Sequence, residues 1–167
     1  MPRKLSLNTT IVLLLALSAT ETSAVDKEVP QFRLATFSAD VTCPIGHPLL
    51  GGIVPAAAEI VDPLEARGFV LLGPDEPIVF CAIDWCEIRN RSYDDWPEAL
   101  AGAAGTQRER VLVCSIHQHD APLSDRGAAE LLAEVGLHGA MFDRGFERVC
   151  IQRTASALRS SLKDVRL

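Results

Sequence analysis

Val111-Leu-Val-Cys-Ser-Ile-His117-Gln-His119-Asp120-Ala-Pro122 is a run of branched apolar residues that ends in two histidines and a proline-marked turn. A short apolar run bounded by turn chemistry reads as a buried strand, here Val111 to Ile116. Side chains two apart on a strand share a face and lie about 6.5–7 Å apart along the chain. Both imidazoles are therefore expected to aim at one centre. Ligands bind at the carboxyl ends of parallel strands in an α/β sheet, so the position suits a site.

Upstream of this motif, Phe32 to Val41 alternates apolar and polar residues as a half-buried strand does. Cys43-Pro44-Ile45-Gly46 breaks it, and His47 to Pro55, with Pro48, Gly51 and Gly52, is a loop on turn chemistry. Gly68 to Leu72 and Ile78 to Ile83 flank Gly73-Pro74-Asp75-Glu76-Pro77 and read as two strands joined by a turn. The second run is wholly apolar, which predicts a strand buried on both faces. From Tyr93 onward, Trp96, Leu100 and Ala104 fall at near-helical spacing, with Asp94 or Asp95 as the cap, Pro97 in the first turn and Gly105 at the end. Beyond the motif, Leu131 to Val135 belongs to a short helix stopped by Gly136. Phe142, Phe146, Val149, Cys150, Ala157 and Leu158 mark one face of a longer helix. Strands alternating with helices predict an α/β fold, with a mixed or mostly parallel sheet flanked by helices. The last helix runs to Leu167 with no strand after it, so the chain is expected to be the truncated N-terminal part of a larger α/β domain.

A chain of 167 residues, 48% apolar, has the length for one ordinary core. Its net charge is −6, and its Arg and Lys are scattered among Asp and Glu, which argues against nucleic acid as a partner. The first 24 residues stand apart: Arg3 and Lys4 precede the apolar run Ile11 to Leu17, and Thr22-Ser23-Ala24 follows. That pattern reads as a secretory signal peptide, 1–24, with 25–167 as the mature domain, secreted or periplasmic. The apolar run is about half of the roughly 20 residues that a membrane-spanning helix needs, and no later segment is longer, so no integral membrane segment is expected after cleavage. Five cysteines, Cys43, Cys81, Cys86, Cys114 and Cys150, leave at least one unpaired. Their spacings match neither a disulfide scaffold nor a zinc ribbon, and buried, inert thiols are the expectation.

Imidazole is a common zinc ligand, and paired histidines without a paired thiol motif point to zinc held by nitrogen and oxygen. The same two residues can instead hydrogen-bond at a strand end or lie in solvent. Ala121 and Pro122 stand where a metallo-β-lactamase needs Asp and His, and His-Glu-x-x-His is absent, so those two zinc classes are excluded. Asp84 and Asp120 are candidates to orient the imidazoles through their free N–H groups, or else a strand-end cap and a turn starter. His47 either faces the same site or is a solvated loop residue; His138, after Gly136, reads as a helix-end residue. Trp85 and Trp96 read as core cover, and Arg89-Asn90-Arg91, near Asp94 and Asp95, as a charged surface.

Ala39-Asp40-Val41-Thr42-Cys43-Pro44 and Ser115-Ile116-His117-Gln118-His119-Asp120-Ala121-Pro122, with the apolar strand Ile78 to Asp84 between them, resemble the N-terminal part of the neutral (non-lysosomal) ceramidase family. That family begins with a strand and an Asp-Ile-Thr-x-Pro turn and later has a strand ending in His-Thr-His-Ser-Gly-Pro. The similarity spans roughly Phe32 to Leu162. It implies an exported zinc hydrolase acting on amide (N-acyl) bonds of a small-molecule or lipid substrate, with His117 as a zinc ligand and His119 as the catalytic neighbour contacting the amide. The family completes its zinc site with a further histidine, a glutamate and a tyrosine from much later in its chain, together with a serine in a Gly-Asp-x-Ser setting. A partner subunit or a missing C-terminal region would have to supply these here. Gln118, Asp120 and Ala121 depart from the family's Thr, Ser and Gly, which sets ceramide apart from the amide chemistry in general. The alternative is a non-catalytic remnant or a metal- or ligand-binding module. A weaker class, a thiol-dependent redox protein, requires two cysteines able to pair, one of them accessible.

Overall fold

The computed structural model describes residues 31–165, so the 1–24 signal peptide lies outside the described residues. Four strands form one mixed sheet: β1 (Arg33–Asp40), β2 (Glu65–Leu72), β3 (Ile78–Ile83) and β5 (Val111–Ser115), in the order β1-β2-β3-β5. The first two pairings are antiparallel, and β3 pairs β5 in parallel from Val79↔Val111 to Ile83↔Ser115. Antiparallel neighbours need only a turn between them, whereas parallel neighbours need a crossover. The crossover here runs through the short strand β4 (Glu87–Arg89) and helix α1 (Asn90–Ala104). A second parallel pair joins β4 to β6 (Leu123–Asp125), and helices α2 (Arg126–Glu134) and α3 (Arg144–Ser161) complete the chain. The α/β class and the mixed sheet flanked by helices are as expected.

The period-two alternation of the strands sorts their side chains. Ala35, Phe37, Ala66, Val70, Val79, Cys81, Ile83, Val111 and Val113 lie in one core with the inner faces of α1 and α3. On α3 the buried stripe is Glu147, Cys150, Ile151, Thr154, Ala155 and Leu158, a spacing of three and four. Val149, expected on that stripe, is 42% exposed, because it falls one residue short of the repeat that Cys150 and Ile151 follow.

Two further expectations are corrected. The wholly apolar β3 is buried on one face only: Val79, Cys81 and Ile83 point into the core, while Phe80 is exposed and stacks on Phe69 of β2. Both long helices pack on the same side, so an apolar run here does not mean two covered faces. Helix α1 begins at Asn90, a turn earlier than the aspartates suggested. Arg89 precedes it without a side-chain cap, Pro97 sits in the helix interior, and Asp94 and Asp95 pair with Arg108 and Arg126. Gly105 does end α1, in the left-handed conformation at φ 70°. The short helix expected around Leu131 to Val135 is α2, which ends at Glu134 with Val135 as its C-cap, and Leu131 and Val135 are exposed.

Gly68 shows why one strand position carries no side chain. A Cβ there would lie 2.3 Å from both Phe37 Cζ and the Phe80 carbonyl oxygen. Phe37 is its partner across the β1–β2 ladder and fills the space above it. Gly68→Ala is expected to cost about 1–3 kcal/mol through overpacking. Urea midpoints with an unchanged m-value would measure it; a neutral or stabilising outcome would contradict this packing.

Candidate functional site

Parallel pairing sets the carboxyl ends of β3 and β5 side by side, and the segments leaving them form the site. The ladder continues past the strands: the Ile116 N–H donates to Ile83 O at 3.1 Å and the His117 N–H to Trp85 O at 3.2 Å. Trp85 is buried, donates its indole N–H to Val41 O at 3.1 Å, and meets Trp96 edge-on at 5.5 Å. It anchors the wall against which the histidine segment lies. On the far side of the motif, Ala121 and Pro122 are buried, and their carbonyls accept the N–H groups of Leu50 (2.9 Å) and Cys86 (2.9 Å).

β5 ends at Ser115, so the two histidines lie beyond the strand rather than on its pleat. His117 has φ 64°, a left-handed backbone that histidine tolerates better than most side chains do. The rings still meet: their centroids are 5.2 Å apart, edge to face. A turn, not a pleat, brings them together. Both residues are exposed, His117 at 59% of its side chain. His117 Nδ1 faces inward, 3.3 Å from Cys86 O, 3.4 Å from Glu87 Oε1 and 3.8 Å from Cys86 Sγ.

Asp84 turns to β2, accepting the Glu65 N–H at 2.9 Å and facing Arg67 at 3.7 Å, while its backbone carbonyl accepts from the Gln118 side chain at 3.1 Å. Its carboxylate thus fills the strand-end role. Asp120 and Gln118 border a cleft of about 380 Å³ that also includes Thr42, Ala57, Ile60 and Leu64. The cleft mixes apolar Leu49, Ala57, Ile60 and Leu64 with the carboxylates Glu59, Asp62 and Asp120, and neither histidine lines it. Arg89, Asn90 and Arg91 are engaged by Glu87, Asp125 and Glu130 respectively.

His47 is neither at the histidine pair nor in solvent. It is buried, with Nδ1 2.7 Å from Pro48 O and Nε2 accepting the Asp143 N–H at 3.3 Å, edge-on to Phe146. It clips the 47–55 loop to the start of α3. A cavity of about 570 Å³ lies there between His47, Ala133, His138 and Phe142 and does not include His117 or His119. Burial holds the His47 imidazole below its ordinary value, opposed in part by the Pro48 carbonyl and Asp143. A folded-state pKa below the unfolded one means that the unfolded chain takes the proton first. The contribution of His47 is therefore complete above about pH 6.5 and is lost as pH falls from there toward the lowered folded value. Native protein is expected to lose more stability than His47→Gln between about pH 7 and 5.5, read as urea midpoints. Parallel losses in the two proteins would show that His47 is not held neutral by the fold.

All five cysteines are free, and only Cys114 is exposed. Burial raises the thiols of Cys43 and Cys86 and pushes Cys81 and Cys150 up to about 12. Cys81 and Cys114 sit on neighbouring strands but alternate to opposite faces of the sheet. This arrangement gives no activated pair for redox chemistry. In the native state one thiol, Cys114, is expected to react with an aromatic disulfide reagent, and the other four only on unfolding. Two or more fast thiols, lost in variants other than Cys114→Ser, would revive the redox class.

Glu87, which the sequence reading passed over, is the carboxylate nearest His117. Nothing in its spacing flagged it, because β4 is three residues long and its pairing with β6 becomes visible only in three dimensions. Among the described residues no group of three or more His, Cys, Asp or Glu side chains is arranged to hold a metal ion. The two imidazoles, with Nδ1 of His117 engaged inward, fit the nitrogen half of a zinc site and not a whole one.

No protein-family model matches the chain, and no curated protein matches its sequence. Solved structures do match in shape. Neutral ceramidase from Pseudomonas aeruginosa superposes with a TM-score of 0.61 at 15% identity, over 81% of this chain and 22% of that one. A ceramidase complexed with C2 gives a TM-score of 0.59 at 15% identity, with the same coverages. This chain thus spans about a fifth of the length of those proteins, and it is similar in fold to that portion of neutral ceramidase.

Proposed function

We propose that this chain is part of an exported zinc-dependent hydrolase of the neutral ceramidase type, acting on amide (N-acyl) bonds. The observation that carries the reading is the pair His117 and His119, with ring centroids 5.2 Å apart at the carboxyl ends of the parallel strands of a ceramidase-like fold. His117 would hold the zinc, and His119 would face the reacting amide. Zinc bound there would polarise the amide carbonyl and activate water. Ile60, Val61 and Leu64, the apolar part of the cleft that Gln118 and Asp120 border, would contact the acyl part of a small-molecule or lipid substrate. A catalytic zinc takes three protein ligands and keeps one open position, so with His117 as one ligand at least two further donors have to come from a partner subunit or from additional chain. Export rests on the signal-peptide pattern of residues 1–24; among the described residues no helix is long and apolar enough to cross a membrane.

The two-imidazole donor set favours a second reading, a metal- or ligand-binding module without turnover. Zinc content and affinity after chelation and dialysis, for the native chain, His117→Ala and His119→Ala, test the metal. The native chain is expected to bind one zinc, and His117→Ala to lose at least tenfold in affinity. Equal binding by native and His117→Ala would overturn the assignment. Hydrolysis of an N-acyl amide by the zinc-loaded chain, reduced about 10²–10⁴-fold in His119→Ala, separates the enzyme from the binding module.

A further inference from the structure

We propose that Glu147 works as a proton-operated clasp: with its carboxyl uncharged it joins α3 to the meeting point of α1, β6 and α2, and ionisation loosens that joint. Glu147 lies on the inner stripe of α3, in the first turn of the helix, and is 4% exposed. A carboxylate at that depth is normally held by an ion pair or by several donors. Here the hydroxyl of Ser92 on α1 donates to Oε2 over a long 3.4 Å, and Oε1 has no hydrogen-bond partner. Ser92 Oγ in turn accepts the Arg126 N–H at 3.0 Å, so one hydroxyl ties the first turns of α2 and α3 to α1. Ser124 of β6 places a second buried hydroxyl close by.

The charged groups around the joint are committed elsewhere. Arg126, at the start of α2, pairs with Asp95 of α1, and Arg144 of α3 faces Glu130 of α2 at 3.5 Å. Asp125, the last residue of β6, accepts from the Asn90 side chain and the Ala128 N–H. Arg148 is exposed and, with Asp95, Arg126 and Arg144, lines a cleft of about 240 Å³ that reaches Glu147. Among the described residues none of these arginines forms an ion pair with Glu147. Burial is the largest influence on the carboxyl and raises it above its ordinary 4.5, opposed only in part by the hydroxyls of Ser124 and Ser92 and by the charges of Arg126 and Arg144. Once ionised, the carboxylate lacks the donors that would replace water, and the cleft is the path by which solvent reaches it. Because the folded value lies above the unfolded one, the contribution of Glu147 is complete below about pH 4.5 and is lost as pH rises through the folded value. Its sign is opposite to that of His47.

Two measurements on the native chain test the clasp. The side-chain carboxyl carbon of Glu147, followed by NMR against pH, is expected to titrate with a midpoint above 4.5. Protection of the Arg126 amide against hydrogen exchange, corrected for the intrinsic rate, is expected to fall as pH passes that midpoint. Glu147→Gln, uncharged throughout and of nearly the same shape, is expected to keep that protection level and to overtake the native chain in urea midpoint as pH rises from about 4.5 to about 8. A carboxyl midpoint at or below 4.5, or Arg126 protection that stays level across the midpoint, overturns the proposal, and both are read without a variant. A native chain that gains on Glu147→Gln as pH rises overturns it too, because an ionised Glu147 stabilised by Arg126 or Arg144 would give that sign.

Discussion

The parallel pairing of β3 with β5 is the constraint on which the rest of the molecule depends. Its register, Val79↔Val111 to Ile83↔Ser115, brings two carboxyl ends to one edge. Everything that borders the histidines leaves from those two ends: Asp84, Trp85, Cys86 and Glu87 from one, His117 to Pro122 from the other. A parallel neighbour cannot be reached by a hairpin, so the chain must cross over between them, and α1 is that crossover. The same requirement places β4 directly after the end of β3, which is why Glu87 arrives beneath His117. Loss of this register would dismantle the site even if every strand survived.

The core is built on one side of the sheet. Trp85, Trp96 and Phe146 fill the corner where the end of β3 meets α1 and α3, with the two tryptophan rings edge to face at 5.5 Å. The opposite face carries Leu34, Phe69, Phe80, Leu112 and Cys114, with Leu112 52% exposed, and no described helix lies over it. Sheets containing parallel pairs are usually covered on both faces. Apolar character in β3 therefore records what that strand can tolerate, not what covers it in these residues.

The strands were legible because their signal is local. β1 alternates, β2 and β3 flank a Gly-Pro-Asp-Glu-Pro turn, and β5 is a short apolar run stopped by polar residues. Asp94 and Asp95 look like caps, which puts the expected start of α1 a turn after the observed one at Asn90. The helix starts with Asn90, whose side chain donates to Asp125 of β6 at 2.6 Å, a tertiary contact with no sequence signature. The site was legible in the same measure. His117 and His119 stand out by spacing, whereas the carboxylate near them does not, because Glu87 comes within 3.4 Å of His117 from 30 positions away in the sequence. Asp84 and Asp120 drew attention as the nearest acids in sequence, and His47 as a loop histidine, but the pleat and the loop turn Asp84 and His47 to other duties.

His117 itself shows how that divergence between sequence proximity and spatial proximity arises. On a continuing strand, residues 117 and 119 would share a face simply by alternation. The backbone instead enters the left-handed region at His117, with φ 64°, immediately after its N–H has made the last ladder bond, to Trp85 O. A non-glycine residue in that region costs of order 1–3 kcal/mol and persists where its surroundings over-determine it. Here they do: the ladder holds the residue from one side, and the buried Ala121-Pro122 turn, tied to Leu50 and Cys86, holds the chain a few residues later. Between these two clamps the ring is turned so that Nδ1 meets Cys86 O and Glu87 while the rest of the imidazole faces solvent beside His119. A strand geometry would satisfy the spacing of the histidines but would not direct Nδ1 into that pair of oxygens. The strained backbone is thus the feature that converts two neighbouring histidines into an oriented pair.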